Sequence, residues 1–198
     1  MMLGVLVVLA LVSLGLIGFG VSSYNGLVSL RNRYRNAFEQ IDVQLKRRYD
    51  LIPNLVAVAK GYLKHEHETL VAVTRARAAA VLASDQARAA PGSASAMGAL
   101  GAAEGALGSA LGRLMVLTES YPELKAQTSM SDLSEELRST ENRVAFARQH
   151  YNDAVQSYDD RRLSFPSNVV ANLFGFEAAA RLESISDPRE RQAPKVEL

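Results

Sequence analysis

Two charged stretches and one glycine pattern carry the residue types and spacings that bear on chemistry. The first is QLKRRYDLIP, residues 44–53, where Arg47, Arg48 and Asp50 gather just ahead of Pro53. A basic run at a turn is one way to hold a phosphate or a partner's acids. A phosphate cradle, however, needs a glycine-rich turn before a helix, and no glycine lies between Gly26 and Gly61. Hydrolysis or nuclease chemistry needs convergent carboxylates or a base, and only Asp50 is near. Two readings stay open. Arg47, Arg48 and Asp50 form either a helix corner that meets Glu119, Glu123, Glu135 and Glu136 of an opposing hairpin, or a tip that docks a partner.

The second stretch is HEHE, residues 65–68. On one helix, His65 and His67 point about 160° apart and cannot share an ion. A zinc-hydrolase pattern would put histidines at i and i+4. This face reads as solvated, and the chain offers no metal, cofactor-binding or catalytic set. It contains no cysteine, which excludes thiolate metal sites and disulfides. No nucleotide-binding, kinase or Ser-His-Asp pattern is present.

The third pattern is structural. Gly98, Gly101, Gly105, Gly108 and Gly112 step by three, four, three and four and share one helix face. Interior glycines weaken a helix by about 1 kcal/mol each relative to alanine. Close backbone approach is what such a face permits, either inside a bundle or between copies of the chain.

The elements that must position these residues follow from composition and period. With 22 Lys+Arg against 21 Asp+Glu, no net field points to nucleic acid. Residues 1–30 carry no charged side chain, and the run containing Leu3, Leu9, Leu14 and Val21 is almost wholly apolar. About 20 such residues cross a bilayer core as a helix. No basic residue precedes the run and no A-x-A site follows it, so it reads as an anchor over 1–23 rather than a cleaved signal. Arg31, Arg33 and Arg35 follow at once, which puts the N-terminus outside and the remaining chain in the cytoplasm by the positive-inside rule.

Beyond the anchor the apolar period is helical. Leu27, Leu30, Tyr34, Phe38, Ile41 and Leu45 make the first stripe. That helix is expected to end near Tyr49, with Asp50 as N-cap and Pro53 in the first turn of a second helix over 51–83. A loop follows over 84–95, then a third helix over 95–121, stopped by Pro122. A fourth begins at a Ser129-x-x-Asp132 capping box and carries Leu133, Leu137, Thr140, Val144, Ala147, Tyr151, Ala154 and Tyr158 at coiled-coil-like spacing. The aromatic residues, Phe146 among them, fall mostly on such stripes and read as core. After Phe165-Pro166, a short amphipathic helix over 167–176 is capped by Ser167 and Gly175 and bears Val169, Val170, Leu173, Phe174 and Phe176. It is too short to span a bilayer and suits either the bundle end or the membrane interface. A charged, extended tail follows over 177–198, mobile from Arg181 onward.

No segment alternates with period two. The expected fold is therefore all-α: a transmembrane helix, then an antiparallel up-and-down bundle of about four long helices over 24–176. That order returns residues 84–95 and 165–176 to the bilayer and sends residues 47–50 to the far tip.

Several stretches resemble the LemA family: LRNRY (30–34), QIDVQLKRRYDLIPNLV (40–56), GYLKHE (61–66), GALGSALGRL (105–114), STENRVAFARQHYNDAV (139–155), FPSN (165–168), FGF (174–176) and APKV (193–196). The resemblance spans nearly the whole chain. It implies a bacterial single-pass protein of the inner membrane with a long-helix domain and no known enzymatic activity. Together these readings lead us to expect a non-catalytic, membrane-anchored scaffold that meets lipid and further copies of itself. The alternative is a regulator of another membrane protein, such as a protease or stress sensor, through helix–helix contacts. Neither nucleic acid nor a small-molecule substrate is expected.

Overall fold

The computed structural model describes residues 1–63 and 65–183. It is all-helical, with no strand among the described residues. Among the described residues six helices follow in order: α1 (Met2–Lys60), α2 (His67–Ala89), α3 (Ala94–Glu119), α4 (Pro122–Lys125), α5 (Thr128–Leu163) and α6 (Ser167–Leu173). The four long ones run up, down, up and down, as the helical period predicts.

The first of them differs from expectation. α1 is a single helix of 59 residues that passes through Asp50 and Pro53 without a break. At 1.5 Å per residue it is about 88 Å long. A proline inside a helix orphans the carbonyl four residues earlier, here Tyr49. That carbonyl instead accepts a hydrogen bond from Arg77 Nε of α2, at 2.6 Å. A side chain of the neighbouring helix thus stands in for the missing backbone donor, and the chain turns only at residues 61–66. Arg47, Arg48 and Asp50 therefore lie mid-helix and not at a corner. The turn separates His65 from His67, which opens α2.

Other boundaries shift too. α2 continues to Ala89, so the loop to α3 is shorter than the expected 84–95. α5 starts after Gln127 and α6 after Pro166, with no side-chain cap bond at either. Ser167 is a buried first-turn residue instead of a cap. The Phe165-Pro166 peptide is cis.

One core runs the length of the bundle. Tyr34, Phe38, Ile41, Leu45, Ile52 and Leu55 of α1 meet Tyr151, Ala154 and Tyr158 of α5 and the small buried residues Ala80, Ala83 and Ala87 of α2. The Tyr34, Phe38, Tyr151 and Tyr158 rings pack edge to face at 5.3–6.3 Å. Phe146 is not part of this aromatic core but exposed on the outside of α5.

The segment after α6 also departs from a loose tail. Residues 177–183 form neither helix nor strand and are strapped to α5. Tyr158 Oη donates to Glu177 O and Tyr151 Oη to Ala180 O, each at 2.7 Å. Asn152 exchanges two hydrogen bonds with the Leu182 backbone, and Ala180 N donates to Gly92 O at 2.8 Å. Gly92 sits at φ +89°, and a Cβ there would press on the Tyr34 ring and Ala179. The rest of the expected tail, 184–198, with the APKV stretch, lies outside the described residues, as does Lys64.

Candidate functional site

The two neighbouring arginines of α1 face different surroundings. Arg47 reaches Glu136 of α5 across an exposed 2.7 Å ion pair, with side chains 51% and 40% exposed. Arg48, one residue on and about 100° round the helix, points inward. Its Nη1 donates to Glu104 Oε2 of α3 at 2.8 Å, with side chains only 7% and 16% exposed. Tyr49 Oη donates to the other oxygen, Oε1, at 2.5 Å and also approaches Ala80 O of α2 at 3.3 Å. One carboxylate on α3 is thereby held by two adjacent side chains of α1. Burial, then the charge of Glu104, pushes the Tyr49 phenol far above its ordinary pKa, so Tyr49 is a neutral donor at any physiological pH. Asp50 stays exposed at the rim of a hollow shared with Lys46, Arg77 and Arg88. The expected acids divide accordingly: Glu136 joins Arg47, while Glu119 pairs with Lys125 at 3.8 Å.

This junction floors a groove. α5 packs chiefly on α1, and α3 chiefly on α2. The gap between α3 and α5 holds two adjoining cavities of 560 and 420 Å³, and Arg48 and Glu141 border both. The glycine face forms one wall: Gly101, Gly105 and Gly108 line the upper cavity, Gly108 and Gly112 the lower. Nothing lies within 4 Å of a Cβ built on Gly98, Gly108 or Gly112. Gly101 is closely covered, by the Glu183 carbonyl at 3.2 Å. Among the described residues, this face is therefore unpacked at Gly98, Gly108 and Gly112 and covered at Gly101. α5 forms the other wall, with Ser134, Leu137, Val144 and Arg148.

At the opposite end, α6 packs beside α1 where the apolar run ends. Val170 and Phe176 are buried, whereas Val169, Leu173 and Phe174 are exposed. Leu3, Leu9, Leu14 and Val21 are all exposed along α1.

Three residues central to these arrangements escaped sequence reasoning: Tyr49, Arg77 and Glu104. Glu104 carried a local signal, since it is the lone acid within the apolar, glycine-rich α3 between residues 94 and 118. An isolated charge there calls for a buried partner.

The class that the fold defines is an all-α bundle whose first helix begins with a stretch long and apolar enough to cross a membrane. The chain belongs to the LemA family, whose sequence profile matches residues 37–198. Among curated proteins it is similar to magnetosome protein MamQ 2 of Paramagnetospirillum magneticum, at 27% identity over 171 residues, covering 79% of this chain and 63% of that protein. It is also similar to magnetosome protein MamQ of Magnetospirillum gryphiswaldense, at 26% identity, covering 78% and 62%. The chain thus spans less than two thirds of the length of these relatives.

Proposed function

We propose that this protein is a non-catalytic scaffold, anchored in the inner membrane by residues 1–23, that associates with further copies of itself through the α3–α5 groove. The observation that carries this reading is the open stretch of that groove's wall at Gly108 and Gly112. Five glycines in one helix cost stability, and among the described residues nothing uses the closeness that Gly98, Gly108 and Gly112 permit. A helix of a second copy seated there would approach the α3 backbone directly, the contact that small-residue faces support. The buried Arg48–Glu104 pair keeps α3 attached to α1 while leaving the gap to α5 open. Arg31, Arg33 and Arg35 beside the apolar run favour a cytoplasmic bundle with the N-terminus outside.

The test is the particle mass of the full chain in mild detergent. Gly108→Leu with Gly112→Leu fills the groove without meeting, at Cβ, a neighbour among the described residues. The expected result is a folded protein of lower mass; an unchanged mass overturns self-association through this face. Sidedness is read separately. The chain has no cysteine, so a single cysteine at exposed Val116 should resist an impermeant thiol reagent in intact cells and react after lysis.

A second reading, regulation of another membrane protein, draws on the apolar part of α1. Gly4, Gly15, Gly18 and Gly20 have nothing within 4 Å of a built Cβ and are open to a foreign helix. Crosslinking in native membranes separates the two, since a ladder of self-products supports the scaffold and one discrete heterologous product supports regulation.

A further inference from the structure

The end of the bundle nearest the apolar run carries a second greasy surface. Phe165 and Leu173 are 83% and 76% exposed, and Leu163, Val169 and Phe174 are exposed with them. The same short segment buries Val170, Ala171 and Phe176 against the core, so its position is set by packing. Two side-chain contacts fix its height along α1. Tyr24 meets the Phe174 ring edge-on at 5.0 Å and the Phe176 ring at 5.5 Å. Tyr24 lies three residues beyond Val21, a rise of only about 4.5 Å. Arg31, about two further turns along, lays its guanidinium over the Phe176 ring at 5.2 Å.

We propose that this exposed edge, Phe165 with Val169, Leu173 and Phe174, is seated in the interfacial layer of the bilayer that α1 crosses. The proposal rests on the anchor reading. If residues 3–21 occupy the hydrocarbon core, the level of Tyr24 is the membrane boundary, and Phe174 is at that level. Solvent exposure of several large apolar side chains in one place is unfavourable in water. An amphipathic segment lying in the interface buries its apolar face in the headgroup and acyl boundary. α6 has seven residues, too few to span and suited to lying flat. Two attachments, the span and this edge, would hold the bundle at one tilt and one rotation about α1. A single span would leave it free to rotate. The glycine groove would then face the same way relative to the membrane in every copy.

The chain has no tryptophan, so Phe174→Trp introduces a sole indole in place of an exposed aromatic ring. The full-length variant is reconstituted in phosphatidylcholine vesicles with bromine placed either high or low on the acyl chains. Leu14→Trp, within the apolar run, and Val116→Trp, exposed near the distal tip, are prepared alongside. The expected result is a blue-shifted Phe174→Trp emission quenched several-fold more than Val116→Trp, and more by shallow than by deep bromine. Adding Val169→Glu and Leu173→Glu should reduce that quenching while the helical circular dichroism is retained. Quenching of Leu14→Trp but not of Phe174→Trp would overturn this proposal and leave the anchor standing. A blue-shifted but unquenched Phe174→Trp would assign the edge to a second copy and overturn it as well. An unquenched Leu14→Trp would overturn the anchor reading, and the interfacial seat with it.

Discussion

Arg47 and Arg48 are chemically identical and adjacent, yet the helix turn between them assigns opposite energetic weights. The exposed Arg47–Glu136 pair is screened and contributes about 0–1 kcal/mol. Arg48 is buried with Glu104, and removing one partner of such a pair strands the other charge, at a cost of about 3–5 kcal/mol. Arg48→Met should therefore lower the denaturant midpoint far more than Arg47→Met; equal effects would contradict the burial. Tyr49 adds a pH dependence. Its phenol is raised in the folded state, by burial and by Glu104. Up to about pH 10 it is protonated whether the chain is folded or not, and its stabilising contribution is fully present. Above that, the unfolded chain releases the proton while the fold retains it, so stability falls. Tyr151, raised likewise by burial and by Tyr34, acts in the same sense. Tyr49→Phe should cost about 1.5–3 kcal/mol near neutral pH for a hydrogen bond to a carboxylate. The gap to the parent should narrow in urea titrations above about pH 10; a gap constant with pH would refute the linkage.

Elements were legible where the local pattern was also the tertiary one. The α5 stripe from Leu137 through Thr140, Tyr151 and Tyr158 is buried as its period implies, and Pro122 does end the run of α3. The end of α1 was not legible, because the group that lets the helix continue belongs to another element. Asp50 and Pro53 read locally as a cap and a first turn. Arg77, 24 positions after Pro53, satisfies the orphaned Tyr49 carbonyl, and no local rule can see it. The caps expected at Ser129 and Ser167 failed for a related reason: packing, and not a side-chain bond, sets both starts. A double-mutant cycle isolates the Arg77 bond. Arg77→Met should destabilise by about 1–3 kcal/mol by leaving a buried carbonyl unpaired. In a Pro53→Ala background the backbone N–H of residue 53 returns to Tyr49 O, and the same change should cost distinctly less. Equal costs in the two backgrounds, measured by urea denaturation, would show that Arg77 does not replace the proline's missing donor.

Across the molecule, the glycine face was readable from its spacing, but the surface it would meet was not. Whether α3 presses its glycines on a neighbour depends on where α5 settles. α5 is drawn to α1 by Tyr151 and Tyr158, and Arg48 and Tyr49 hold α3 to α1 through Glu104, which leaves the groove between them. This gives two measurements with opposite signs on the same variants. A Cβ added at Gly98, Gly108 or Gly112 meets nothing within 4 Å among the described residues, and alanine is the better helix former by about 1 kcal/mol at each position. The three alanines together should raise the thermal midpoint of a dilute sample in detergent. If a second copy's helix approaches this face, the added methyl groups should also weaken association, seen as a lower mass by sedimentation at the same protein concentration. Gly101→Ala should not share the stabilisation, because its Cβ would press within 3.2 Å of the Glu183 carbonyl. A higher midpoint with undiminished mass would place the assembly contact elsewhere. A lower midpoint with lower mass would mean that the glycines serve the fold of the single chain after all.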